Sequence, residues 1–289
     1  MDSLSRMTET TQQCVAASKL LIGLPEGTPI VKYTNMKRLK NIIDSQSHDC
    51  YVDSSKSPFL VVTCVRDTFF EDFDKTYPDR GPKISYKLEE GGPIAVLEVM
   101  ASGVHEVTNA RLQLEVGKAL EAMGLEYELI GINQKLVESS NKAWKKQADL
   151  SYAIAGHTRW PVLVFGTGLS ETAKKLAIDA QGWLEAQGSD TQVAITIKID
   201  RHQPNITLQR WELSYPRRMT RSQQPIGAVT QEVRVFYKDG VARATGDLII
   251  PFDKVFRRPK RGRREADISI KKEKLVYMGE LIWAEQGLV

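Results

Sequence analysis

The chain has 289 residues, 42% of them apolar and 26% charged, which excludes wholesale disorder and suits one large domain or two small ones. No run approaches the roughly 18 apolar residues of a membrane span. The start, Met1-Asp2-Ser3-Leu4-Ser5-Arg6, has no basic segment leading into an apolar one, so the expectation is a soluble chain that is not secreted. Three cysteines (Cys14, Cys50, Cys64) and four scattered histidines lack ligand spacing. That argues against zinc and for a reducing compartment, nuclear or cytoplasmic. The net charge of +4 is uneven: residues 201–289 hold 18 Lys and Arg against 10 Asp and Glu, a net +8, whereas residues 1–200 carry −4. A basic final third either attracts a polyanion or forms a solvated surface.

The first 20 residues, polar and rich in Ser, Thr and Gln, read as a poorly ordered leader. Phe59–Val65 is a short β-branched strand, and Tyr77–Pro82 a turn-rich stretch that suits a domain boundary. Strands follow at Ile84–Leu88 and Ile94–Val99, split by Gly91-Gly92-Pro93. A helix is predicted over 104–123, because Leu112, Val116, Ala119, Leu120 and Met123 share one face and Gly124 suits a C-terminal cap. Leu125–Ile132 is the next strand and Gln134–Lys146 a polar connection. Ala148–Ile154 and Pro161–Phe165 are further strands, and a helix begins near Ser170, with Ala173, Leu176, Ala177, Ala180 and Leu184 at helical spacing. Val193–Ile199 is the clearest strand. Beyond it the pattern is mostly β: Ile206–Leu213, Glu232–Lys238, a turn at Asp239-Gly240, and Val241–Ile250, then a short helix over 271–285.

The run Gly166-Thr-Gly168-Leu-Ser-Glu171 passes from strand to helix as a dinucleotide-binding turn does. Glu171, however, stands where a pyrophosphate would sit, and a carboxylate there repels phosphate. A tight turn with Ser170 as N-cap explains the same residues.

A different likeness is carried by order and spacing. His105-Glu106 opens the first helix, and Gln147-Ala-Asp149 opens a strand. Pro161–Glu171 follows, then a helix with Asp179-Ala180 and Trp183, and then the apolar strand Val193–Ile199. This arrangement resembles the PD-(D/E)XK nuclease superfamily, and looks most like a fungal restriction-endonuclease-like branch of it. The likeness spans 83–289 and extends to Trp211-Glu212, the hairpin and Asp267-Ile268. It implies an α/β fold, a restriction-endonuclease-like mixed sheet flanked by helices with C-terminal β-hairpins, after an N-terminal extension (1–82) holding at least one strand.

The resemblance also implies Mg²⁺-dependent phosphodiester hydrolysis, with Asp149 as a metal ligand and Glu106 assisting from the first helix. Three departures bear on that chemistry. Pro-Asp is Ala148-Asp149, the second metal carboxylate is replaced by Gly166, and the lysine two residues on by Gly168. Glu171 with Lys175 (or Lys174) can replace them from the following helix. Alternatively Glu171, Lys175 and Asp179, spaced i, i+4, i+8, form an exposed salt-bridge ladder. Arg257, Arg258, Lys260, Arg261, Arg263 and Arg264 make a basic, Pro- and Gly-broken loop that contacts nucleic acid, serves nuclear import or is simply solvated.

The expectation is therefore a degenerate nuclease-like protein that binds DNA or RNA with weak or no phosphodiesterase activity and needs no cofactor. The alternatives are an active Mg²⁺-dependent nuclease with migrated residues and a non-catalytic protein-interaction domain, with a protein partner or a second copy of the chain.

Overall fold

The computed structural model describes residues 18–289 apart from 54, 79–80, 91, 101 and 216–223. Most of the expected polar leader therefore lies outside the described residues, although Lys19–Leu21 forms one 3₁₀ turn capped by the Ser18 hydroxyl. The chain divides into two compact units, Met1–Ala101 with Glu138–Gln147, and Ser102–Val137 with Ala148–Val289.

In chain order the first unit contains β1 (Ile30–Lys32), α1 (Met36–Val52), β2 (Phe59–Thr63), α2 (Phe69–Thr76), β3 (Lys83–Glu89) and β4 (Gly92–Glu98). The second opens with α3 (Gly103–Met123) and β5 (Leu129–Gly131), before β6 (Leu136–Glu138) and β7 (Trp144–Gln147) return to the first sheet. That sheet is ordered β1-β2-β4-β3-β7-β6. Every residue of β2 is buried, so it needs neighbours on both edges. It has β1 in parallel on one and β4 antiparallel on the other, with Leu60 opposite Leu97. Leu39 and Ile43 of α1, and Phe69 and Phe73 of α2, complete this core.

Two expectations are corrected here. The boundary placed at residue 82 falls inside one sheet, because β3 and β4 pair with each other and β4 pairs with β2. The polar connection at 134–146 contains β6 and β7; β7 pairs antiparallel with β3, with Ser85 opposite Lys146.

The second unit continues with β8 (Leu150–Ile154), β9 (Leu163–Gly168), α4 (Ala173–Glu185), β10 (Val193–Ile199), β11 (Asn205–Ser214), β12 (Ile226–Lys238) and β13 (Val241–Ala244). Its seven-stranded sheet is ordered β13-β12-β11-β10-β9-β8-β5. Only β9 and β10 run parallel, joined by α4, and every other neighbouring pair is antiparallel. This is a mixed α/β architecture with helices on both sheet faces and β-hairpins toward the C-terminus. Asp239 and Gly240 both have left-handed φ, 54° and 76°, the requirement of a tight hairpin turn between twisted strands.

Ser102 caps α3, and Gly124 ends it at φ 72°, in the role expected of it. Leu112, Val116 and Leu120 of α3 share one core with Leu163, Phe165 and Ile195 of the sheet. The chain then forms β14 (Leu248–Ile250), α5 (Phe252–Phe256), β15 (Ile268–Ile270) and α6 (Lys272–Gln286). Trp283 and Ile282 of α6 join the α3 core. The single strand expected over 241–250 is two strands. Between them the Thr245 hydroxyl accepts the Arg234 N–H at 3.0 Å, and the Asp247 carboxylate accepts the Lys272 N–H at 2.8 Å. The first bond holds Thr245 to β12, the second ties Asp247 to the start of α6, and beyond this point Leu248 pairs with Ile270. Among the described residues, no helix is long and apolar enough to cross a membrane.

Candidate functional site

Successive residues of a strand face opposite sides of the sheet. Leu150, Tyr152, Leu163 and Phe165 face the α3 core. Gly166 and Gly168 therefore face the other side, along with their parallel neighbours Thr196 and Lys198 on β10. This is the α4 side, since a Cβ on Gly168 would lie 2.9 Å from Leu176 Cδ1 of that helix. Since β8 and β9 are adjacent, with Leu150 opposite Phe165, the register sets Asp149 beside Gly166.

Asp149 Oδ2 accepts the Thr167 N–H at 2.6 Å, and the Asp149 N–H donates to the Phe165 carbonyl at 3.2 Å. The carboxylate thus fixes the strand-end backbone. A Cβ on Gly166 would meet nothing within 4 Å, so the position facing Asp149 is open as well as lacking a side chain. On the α3 side the Thr167 hydroxyl donates to Asn109 Oδ1 at 3.5 Å. Glu106 is exposed in the first turn of α3, where its charge suits the helix dipole. Asn109 thus reaches the strand end from α3, and sequence reasoning passed over it.

The migrated candidates are placed apart in role. Thr172, not Ser170, caps α4, its hydroxyl accepting the Lys175 N–H at 3.2 Å. Lys175 is among the largest fully buried side chains, and its Nζ donates to Asp179 Oδ1 at 2.5 Å. The expected exposed ladder is therefore corrected: α4 turns Lys175 inward with Leu176, Ala180, Trp183 and Leu184. Glu171 instead lies in the field of Lys198.

Lys198 is a second residue that the linear sequence hid. It stands directly across from Gly168 on β10, and its Nζ donates to the Leu169 carbonyl at 2.9 Å. Burial pushes its pKa down, and the Asp200 and Glu171 carboxylates partly offset this. Arg201 donates to the Ser170 hydroxyl in the same strand-end group. The available signal was the alternation Ala194-x-Thr196-x-Lys198, which puts the one cation of an apolar strand on the face opposite the isoleucines.

Donor chemistry decides whether Mg²⁺ suits these residues. Protein-bound Mg²⁺ generally takes one or two carboxylates and keeps several waters. Here Asp149 accepts a backbone N–H and Gly166 offers no side-chain oxygen. Among the described residues no group of three or more His, Cys, Asp or Glu side chains could hold a metal ion. The carboxylate pair that the resemblance implies is therefore not present at Asp149 and Gly166.

The basic loop separates into inner and outer cations. Arg257 Nη1 donates to Asp190 Oδ1 at 2.7 Å. Arg258 grips both oxygens of Glu265 at 2.9 Å, reaches Glu128 Oε2 at 2.9 Å, and lies 5.0 Å from the Phe252 ring centre. Lys260 pairs with Asp267 at 2.8 Å. Arg261, Arg263 and Arg264 are exposed. The structure thus gives Arg258 a stapling role within its own unit, with the outer three cations facing solvent.

The Arg258 guanidinium and the Arg261 N–H hold the Glu265 carboxyl at about 2, below its ordinary 4.5. A depressed carboxyl contributes stability that is complete above its unfolded value and is lost as pH falls through the folded one. The thermal midpoint should therefore fall between pH 4.5 and about 2, and less steeply in Glu265→Gln than in the natural chain. Equal slopes in thermal melts across that window would show that the staple adds nothing.

No family profile matches the sequence, and no curated protein matches it. Among solved structures, it is similar to a protein of Anabaena variabilis assigned to DUF820 and described as a candidate nuclease. That match has a TM-score of 0.34 and 12% identity, covering 54% of this chain and 82% of the other. A likeness this loose transfers no residue or activity.

Proposed function

We propose that the second unit is a restriction-endonuclease-like domain that has lost phosphodiester cleavage and keeps nucleic-acid contact through the 257–264 loop. The observation that carries the loss is Gly166: the position beside Asp149 has neither a carboxylate nor any neighbour filling its place. The order of α3, β8, β9, α4 and β10 agrees with the order of motifs that suggested the resemblance. An active enzyme using Glu171 and Lys175 is less favoured, because the lysine is buried and bonded within its own helix.

Nucleic-acid contact rests on Arg261, Arg263 and Arg264, which face solvent in the final third of the chain, where its positive excess lies. Each phosphate contact releases counterions, so binding should weaken steeply with salt. Replacing these three arginines with serine should weaken binding to all sequences and flatten the salt slope by about 2–3. Oligonucleotide titrations at several salt concentrations test this. An unchanged slope removes the loop, and no salt-sensitive binding at all leaves the protein-interaction reading standing in its place.

A further inference from the structure

The turn that joins α3 to β5 carries a tyrosine, Tyr127, that is 82% exposed. The turn itself is well held. Leu125 and Leu129, 6% and 1% exposed, peg it into the core on either side of the ring. The Glu128 and Leu129 N–H groups both donate to the Leu125 carbonyl, at 3.0 and 3.4 Å. Gly124 leads into it with its left-handed φ, and the Leu125 N–H closes back on the Leu120 carbonyl at 2.9 Å, as a glycine-capped helix end does.

A single exposed aromatic ring is ordinary on a protein surface. Its neighbours decide its use. The basic loop is fastened to this turn at two residues that flank Tyr127 in sequence. On one side the Ala266 N–H donates to Met123 Sδ at 3.3 Å, and on the other Arg258 Nη2 donates to Glu128 Oε2 at 2.9 Å. The loop is folded around Glu265, whose carboxylate takes the Arg258 guanidinium and the Arg261 N–H, and whose own N–H donates to the Gly262 carbonyl at 3.2 Å. Exposed Arg261, Arg263 and Arg264 thus belong to an ordered loop docked on the turn that presents the ring. All of these residues lie in the second unit.

A ring with both faces near solvent, beside cations without competing duties, selects among anionic partners. A duplex offers phosphates to the arginines but keeps its bases stacked inside, so the ring would go unused. An acidic protein surface supplies carboxylates but no regular series of flat rings. A single-stranded nucleic acid supplies both at every residue: a phosphate for a guanidinium and a base with a π-face for the phenol. Charge is not the whole of the contact, because exposed Glu126 stands next to the ring and opposes a phosphate.

We propose that Tyr127 is a stacking platform for one unpaired base of a single strand whose neighbouring phosphates lie on Arg261, Arg263 and Arg264. This rests on the nucleic-acid reading above and names the form of nucleic acid that the loop holds. Stacking tolerates any base, so the surface distinguishes single strands from duplexes and hardly one sequence from another.

The test titrates full-length protein with a fluorescent single strand, with the same strand made abasic throughout its middle, and with a duplex of equal length, each at several salt concentrations. Tyr127→Ala should weaken binding to the intact strand about tenfold and leave its salt slope unchanged, because stacking releases no counterions. The same variant should bind the abasic strand and the duplex as the natural chain does. Tyr127→Trp, which keeps a flat face, should bind the intact strand as well as the natural chain or better. Circular dichroism checks that both variants fold. Natural affinity of Tyr127→Ala for the intact strand would overturn the platform and leave the loop's contact with nucleic acid standing. So would an equal loss on the abasic strand or the duplex, or a Tyr127→Trp variant as weak as Tyr127→Ala, since the ring would then not act by stacking on a base. Failure of the natural chain to bind any of the three would overturn both readings.

Discussion

Replacing Lys175 with alanine should lower the unfolding free energy of the second unit by about 3–5 kcal/mol. The lysine side chain is 2% exposed and its aspartate partner 14%, so both charges have left bulk water. Most of the expected loss comes from leaving the Asp179 carboxylate buried without its lysine, and less from the attraction that the pair gains by meeting. Joint replacement should accordingly recover most of the loss. Lys175→Met with Asp179→Leu keeps similar volume, removes both desolvated charges, and should lie within about 1–2 kcal/mol of the natural chain or above it. Urea unfolding of the two single variants and the double completes the cycle. A Lys175→Ala loss below about 1 kcal/mol would mean that water reaches the pair and that its burial is not energetically real.

Gly166→Glu should bind Mn²⁺ on the order of tenfold more tightly than the natural chain, because charge count sets the affinity of hard cations for oxygen sites. Space allows the change, since a Cβ there meets nothing within 4 Å, and the register sets it beside Asp149. Restoring the lysine at position 168 does not follow by the same logic. A Cβ on Gly168 would lie 2.9 to 3.1 Å from three atoms of Leu176, itself buried, so even Gly168→Ala should cost about 1–3 kcal/mol. Lys198 already stands across from Gly168, so the test uses Gly166→Glu alone. Calorimetry with Mn²⁺ and a cleavage assay on both proteins decide the matter. Strong Mn²⁺ binding with EDTA-sensitive cleavage by the natural chain would overturn the loss of catalysis.

The elements legible in the sequence were those whose apolar residues repeat densely. The helix over 103–123 buries Leu112, Val116 and Leu120, and the strand over 193–199 buries six of its seven residues. The helix Met36–Val52 left no comparable trace, because its 17 residues bury only Leu39, Ile43 and Cys50. Sheet membership was harder still. Whether Ile84–Leu88 opens a second domain or completes a first depends on its neighbour β4 pairing with Phe59–Thr63, which no local pattern records. The same limit applies to the site. Asp149 could be picked out by its neighbours in sequence, whereas Lys198 becomes relevant only through its parallel register with Gly168. In the basic loop the charges were plain, but the partners that anchor Arg257 and Arg258 lie 67 and 130 residues away. Reading the loop as one uniform surface was the natural error.

The return of the chain to the first sheet at Trp144–Gln147 has a consequence for synthesis. A ribosome that has released residues 1–101 has supplied β1 to β4 but not β7, so the edge of β3 that later receives Lys145 and Lys146 is still bare. An unpaired strand edge is a template for association with other chains. The nascent first unit must therefore wait, through the emergence of the helix at 103–123, for its own closing strand. Fragments ending near residue 101 should for the same reason be more prone to aggregate than fragments or fusions that supply residues 138–147.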